Sequence, residues 1–422
     1  MKLTSVCSFG LLATAIAFGG PAFGQLPPPP PPPDVVPSDD NGNTAGGDQS
    51  LQLNTYGTQN TAFGSDTLEE NSSGGANVAI GYEALGLNTS GSANVAVGAG
   101  ALTANTSGAA NTAVGLDALD FNSTGTGNSA LGWAALLRNT TGVNNSGTGY
   151  GALENNTVGE GNTASGYQSL YSNTTGNSNT AAGSEALFSN TVGASNTASG
   201  NHTLYYNTAG YHETAAGAEA LFSNTTGSTN VALGYQALFY NTVGSNNIAL
   251  GTAAGYNLTS GSNNVDIANQ GVAGDKGIIR IGAPSSQTAT YIAGIENAKV
   301  TGSAVYVTAT GQLGVLASSE RYKTAVTPMG GTTEKLDQLR PVSFHLKTDP
   351  RGAVQYGLIA EEVARVYPEL VIRNQAGKIE GVRYDELAPM LLNEVQQQRE
   401  QLRQMQAAIL RLQAKEEPAA TR

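Results

Sequence analysis

Asn77-Val78-Ala79-Ile80-Gly81, Asn94-Val95-Ala96-Val97-Gly98 and Asn230-Val231-Ala232-Leu233-Gly234 are three copies of one phrase, set on a period of 17 residues. Glycine holds its last place twelve times without a slip, from Gly64 to Gly251. A second glycine column trails it by ten residues, from Gly74 to Gly261, and a leucine column runs from Leu68 to Leu238. The consensus unit reads N-T-A-x-G-x-x-A-L-x-x-N-T-x-G-x-x. A fixed period of this size means a stacked architecture, in which neighbouring units bury the apolar face that one unit cannot bury alone.

Within the unit, Thr-Ala-x-Gly alternates as a very short strand does, with alanine facing inward and glycine bending the chain. The following x-x-Ala-Leu piece, as in Tyr82-Glu83-Ala84-Leu85, suits either a second strand or one helical turn. Asn-Thr-x-Gly is turn chemistry: Asn tolerates left-handed geometry and Gly supplies a positive φ. Stacked at ~4.8 Å, thirteen such coils would make a rod of about 60 Å. Its interior reads as thin, with alanine and leucine the only dependable inward residues. At about 25 cal/mol per Å² of apolar burial, such a coil barely offsets the entropy of ordering its residues. Either backbone ladders carry the rod or several chains share a core. The second is the expectation, because the C-terminal end independently asks for oligomers.

The fold class is therefore mainly β: a repetitive β-solenoid or β-roll, a β-rich neck, a small α+β domain and a C-terminal coiled-coil helix. Residues 1–24 read as an export signal, with Lys2, an apolar stretch from Leu11 to Phe18, and small residues Ala22 and Gly24 before Gln25. Residues 25–50 read as a linker, stiff through Pro27–Pro33 and then flexible. The repeat fills 51–270 and the neck 271–317, where Gly277–Gly282, Ala289–Gly294 and Ser303–Thr308 alternate as strands. The small α+β domain is assigned to 318–390, the coiled coil to 391–413 and a disordered tail to 414–422.

The charge pattern excludes several functions. The net charge is −12, and between residues 25 and 275 the only cation is Arg138. Such a surface has no footprint for a nucleic-acid backbone. Cys7 lies inside the export signal, so the mature chain has no thiol chemistry. No later stretch is apolar enough to span a membrane as a helix. His202, His212 and His345 lack metal-ligand spacing, and Gly147-Thr148-Gly149-Tyr150-Gly151 is repeat glycine rather than a phosphate loop. No metal or cofactor is expected. The threonine column of Thr89, Thr106 and Thr140 lacks the neighbouring Thr-x-Thr pairs of an ice-binding face.

The Asn-Val-Ala-Ile-Gly phrases resemble the head repeats of trimeric autotransporter adhesins, although the unit here is longer. That resemblance implies a left-handed parallel β-roll, built in that family by three intertwined chains.

A second set of residues carries the chemistry. Ala317-Ser318-Ser319-Glu320-Arg321-Tyr322-Lys323 closes the neck. Leu339–Phe344, Gln355–Val363, Tyr367–Val371 and Val382–Leu387 follow. In order and spacing these blocks resemble the peptidase S74 domain, the intramolecular chaperone of endosialidases and phage tail spikes, over about residues 315–413. The resemblance implies a domain that trimerises the fibre before it and then cuts itself off with a Ser-Lys dyad. Aligned on Arg321 and Lys323, it makes Ser318 the nucleophile, Lys323 the general base and Ala317–Ser318 the scissile bond. Ser319 stands where that family often has Asp, so the choice between Ser318 and Ser319 stays open. Arg321 either helps to lower the lysine's pKa or pairs with a carboxylate. A lysine kept neutral by burial or a nearby cation can take a serine proton without His or Asp.

The last segment carries a heptad, with Ala388, Val395, Leu402 and Ile409 on one seam position and Leu391, Gln398, Met405 and Leu412 on the other. The expected product is a secreted or surface-exposed homotrimer of bacterial origin, meeting an extracellular surface or glycan. The competing readings are a structural fibre with an inactive chaperone and a prophage-derived tail fibre.

Overall fold

The computed structural model describes residues 39–283, 286–293, 304–308, 310–374 and 376–416. The export signal and the proline run lie outside these residues. The chain divides into two units between Thr290 and Tyr291.

The first unit is a single-chain β-solenoid. Its one sheet has fifteen parallel strands in sequence order, starting at β1 (Thr44–Gly46). Strands β2 to β14 follow every 17 residues, from Thr61–Phe63 to Val265–Ile267. The last strand, β15 (Ile279–Ile281), comes after a shorter coil, pairing Val265 with Ile279. The sheet thus takes in residues from both the segment read as linker and the segment read as neck. Identical columns stack: Thr61 pairs with Val78, Ala62 with Ala79 and Phe63 with Ile80.

The Ala-Leu piece is neither strand nor helix. Leu68, Leu85, Leu102 and their successors to Leu238 stand at φ between 51° and 56°. Left-handed geometry costs an ordinary residue roughly 1 kcal/mol or more, so something must hold it. Burial holds it here, because these side chains are fully enclosed in the interior. The two glycine columns serve different needs. Gly81 has φ 135°, and a Cβ on it would meet Gly98 O at 2.5 Å. Gly91 has no positive φ, but a Cβ there would collide with Gly108 O and Asn88 Oδ1. The turn chemistry expected of Asn-Thr-x-Gly is therefore corrected: neither the Asn nor this Gly is left-handed, and both serve close packing.

The interior is not limited to alanine and leucine. Asn43, Asn60, Asn77 and their successors form one buried column, and Asn71, Asn88 and theirs a second. Asn77 Nδ2 donates to Asn60 Oδ1 (3.1 Å) and to Gly91 O (2.9 Å), and its backbone N–H donates to the same Oδ1 (3.0 Å). Asn88 Nδ2 donates to Asn71 Oδ1 (2.8 Å) and to Gly91 O (3.1 Å). Backbone bonds join coils outside the strands as well, as in Leu68 N–H to Ala84 O (3.1 Å) and Ser72 N–H to Thr89 O (3.0 Å). Buried amides satisfied in this way rigidify a core, whereas unsatisfied ones would break it. The expectation that several chains must share this core is overturned, since one chain closes it with ladders that the hydrophobic pattern does not reveal.

Two ladder positions depart from the rule. Glu213 replaces Asn in the first column and is buried. Leu258 replaces Asn in the second, leaving Asn241 Oδ1 buried without a partner. Leu258 is itself fully buried in the rod core, and Gly255 stands where the next leucine of the column would fall.

The second unit begins with a hairpin of β16 (Tyr306–Val307) and β17 (Leu313–Gly314). Two further antiparallel pairs follow: β18 (Val342–Phe344) with β19 (Gln355–Gly357), and β20 (Val371–Arg373) with β21 (Ile379–Val382). The helix α1 (Ala360–Val366) packs on the second pair, and α2 (Tyr384–Glu416) ends the described chain. Among the described residues no helix is long and apolar enough to cross a membrane.

Candidate functional site

The sequence blocks of the second unit meet in one small core. Val363, Tyr367, Leu370, Val371, Val382 and Met390 are buried together, with Leu339, Leu358 and Leu387 packed against them. Polar bonds tie the preceding loop to this core. Tyr367 Oη donates to Thr332 O (3.1 Å) and accepts from Lys335 N–H (3.1 Å). Thr333, fully buried, donates to Glu394 Oε2 (3.1 Å) and accepts from Asn393 Nδ2 (2.7 Å). Gly330 O accepts from both Asn393 and Gln397. The start of α2 thereby anchors the loop that follows the candidate site. These anchors escape sequence reasoning because their partners lie about 60 residues apart.

Arg340 forms a two-toothed pair with Glu362, at 2.6 and 3.2 Å, which holds the Glu362 carboxyl below its ordinary range. Beside it lies an open apolar groove of about 620 Å³, walled by Leu339, Pro341, Tyr356, Tyr384 and Leu391 among others.

The candidate catalytic residues stand apart from this core. Ala317 through Lys323 are all exposed. Ser319, at φ −65° and ψ 142°, opens a one-turn 3-10 helix over Glu320–Tyr322. Its carbonyl accepts Tyr322 N–H (3.0 Å), and Glu320 O accepts Lys323 N–H (2.9 Å). This turn places Ser318, Ser319 and Lys323 within one short loop. Among the described residues, no hydrogen bond joins either serine side chain to Lys323. The Arg321 guanidinium lies 4.7 Å from the ring centre of Tyr322, a cation–π contact. No ion pair from Arg321 to a carboxylate is found among the described residues.

In α2, the apolar heptad residues are left largely uncovered by the described residues. Leu391, Val395, Leu402, Met405, Ile409 and Leu412 are 44–62% exposed, and every residue from Gln398 to Ala414 is exposed.

Residues 318–372 match the model of the Peptidase_S74 family, described as the chaperone of endosialidase. The segment is a chaperone-of-endosialidase domain. Its match begins at Ser318, the residue assigned as nucleophile, and ends within β20. Joined to a β-solenoid of about fourteen turns, the chaperone domain is consistent with a tail-fibre-like structural protein. No curated protein and no solved structure matches the chain.

Proposed function

We propose that this chain is an exported trimeric fibre whose C-terminal domain brings three copies into register and then releases itself by cutting Ala317–Ser318. The observation that carries the reading is the chaperone-of-endosialidase match opening at Ser318, directly after the rod and neck. The uncovered heptad on α2 supports it, because an apolar seam of this length is stable only when other helices cover it.

In this reading the Ser318 hydroxyl attacks the carbonyl carbon of Ala317, and Lys323 Nζ takes its proton. The peptide C–N bond then breaks, the proton passes to the departing Ser318 nitrogen, and water hydrolyses the resulting ester. The products are an Ala317 carboxylate and a free Ser318 N-terminus. A lysine acts as a base only when uncharged, and Lys323 is exposed on the single chain. Neighbouring copies supply the missing enclosure, so hydrolysis follows assembly and makes it irreversible. Ser318→Ala and Lys323→Met are expected to leave the precursor intact on a denaturing gel, while Ser319→Ala is cut like the wild type. Unchanged processing in Ser318→Ala would remove the dyad and leave a structural fibre with an uncleaved chaperone.

The rod is the part that meets the surroundings, with an extracellular surface or a glycan as its target.

A further inference from the structure

A six-ring aromatic column climbs one side of the last rod coils. Tyr171, Phe188, Tyr205, Phe222, Phe239 and Tyr256 recur every 17 residues, with ring centres 5.1–5.5 Å apart and planes within 20° of parallel. Their faces are spent on one another, so the column presents only ring edges. Two further tyrosines lie across those edges. Tyr206 is 4.7 Å from Tyr205 and 5.1 Å from Phe222, at 83° to each. Tyr240 is 4.9 Å from both Phe239 and Tyr256, at 89° and 72°. Each of these two rings therefore packs across the step between two stacked neighbours. Both stay open to solvent, Tyr206 at 47% and Tyr240 at 45% exposure.

These two rings occupy the same column two coils apart, which sets them about 10 Å from each other along the rod. The coil between them presents Ser223, whose hydroxyl makes no hydrogen bond among the described residues. Ser189 stands one coil before and Asn257 one coil after. The arrangement is thus ring, hydroxyl, ring, flanked by polar side chains.

We propose that Tyr206, Ser223 and Tyr240 form a platform for a neutral, extended β-1,4-linked glycan lying along the rod. In such a polymer alternate pyranose rings present the same face, so every second sugar meets an aromatic ring while the sugar between meets a hydroxyl. Sugar C–H groups carry slight positive charge and pack on the negative face of a π-system. Charge selects against acidic glycans, because the rod has Arg138 as its only cation between residues 25 and 275 and Glu219 lies near Tyr256. The proposal rests on the reading of the rod as the part that meets the surroundings, and it names the target class.

The test uses the purified full chain with soluble β-1,4-linked hexasaccharides, an α-linked hexasaccharide and polysialic acid, measured by calorimetry. Binding to a β-1,4-linked hexasaccharide only is expected. Tyr206→Ala and Tyr240→Ala should each weaken it roughly tenfold, while Tyr206→Phe and Tyr240→Phe retain it. The pair Ser223→Tyr with Tyr240→Ser keeps two rings but halves their spacing, and should lose binding while circular dichroism is unchanged. The proposal is overturned by no binding, by equal binding in the double alanine variant, or by preference for polysialic acid. It is also overturned if the double alanine variant loses self-association instead, which would make the platform a contact between copies. Copy number and chain cleavage are read separately by mass, so failure of the trimer or of the dyad is distinguishable from failure of this site.

Discussion

Asn77 and its column equivalents show how single residues decide this fold. A polar residue repeated next to an apolar phrase reads as a turn or a surface position, and sequence patterning treats it that way. Its buried role becomes visible only when the coil seventeen residues away supplies both donor and acceptor. Leucine was legible as core, but not its left-handed backbone, because nothing local favours that geometry. Leu136→Ala should therefore cost about 2–5 kcal/mol through the cavity it leaves, seen as a lower melting temperature. Glu213 makes a sharper prediction. Burial pushes its carboxyl from the ordinary 4.5 up to about 8, against two opposing bonds from Asn230, at 2.9 and 3.0 Å. The folded rod then holds this proton more tightly than the unfolded chain does. Its contribution is complete below pH 4.5 and is lost as the pH rises toward about 8. Asp266 acts in the same direction: burial and then Asp275 raise it to about 6, against Arg280, and both its oxygens lack partners. Glu213→Asn restores the ladder, so it should raise the melting temperature most near pH 9 and least near pH 5. A wild type equally stable at both pH values would contradict this.

Between residue and molecule, the elements differ in how much of them a sequence can announce. The coil announces itself, since a strict period with Gly64-type glycines permits little else. The 3-10 turn at Glu320–Tyr322 does not, because its residues carry ordinary propensities and its stability comes from two backbone bonds. The long helix α2 was legible from its heptad, and the structure adds that the seam is open. An open seam is a claim about partners, and it can be tested at this scale. Leu402→Asp together with Ile409→Asp places charge on the seam without touching the buried cluster around Val363 and Met390. The expected result is a single uncut chain in place of the three-copy particle, with unchanged rod circular dichroism. A double variant with wild-type mass would show that α2 does not assemble the fibre.

At the scale of the whole molecule, a rod complete within one chain changes what the proposed oligomerisation would be for. Three chains are not needed to fill the solenoid, because the asparagine ladders and the alanine and leucine columns already close it. In the function proposed above, assembly instead gathers three finished rods through the C-terminal domain, whose proposed dyad stands exposed in the single chain. The chaperone blocks were legible in the sequence because they pack as one core. The proposed dyad rests on residue types alone, because Ser318 and Lys323 are exposed and share no hydrogen bond among the described residues. Native and denaturing mass spectrometry of the purified protein tests this account most directly. The account predicts a native particle of three copies, each ending at Ala317, and a separate fragment beginning at Ser318. A native monomer of uncut chain would contradict it.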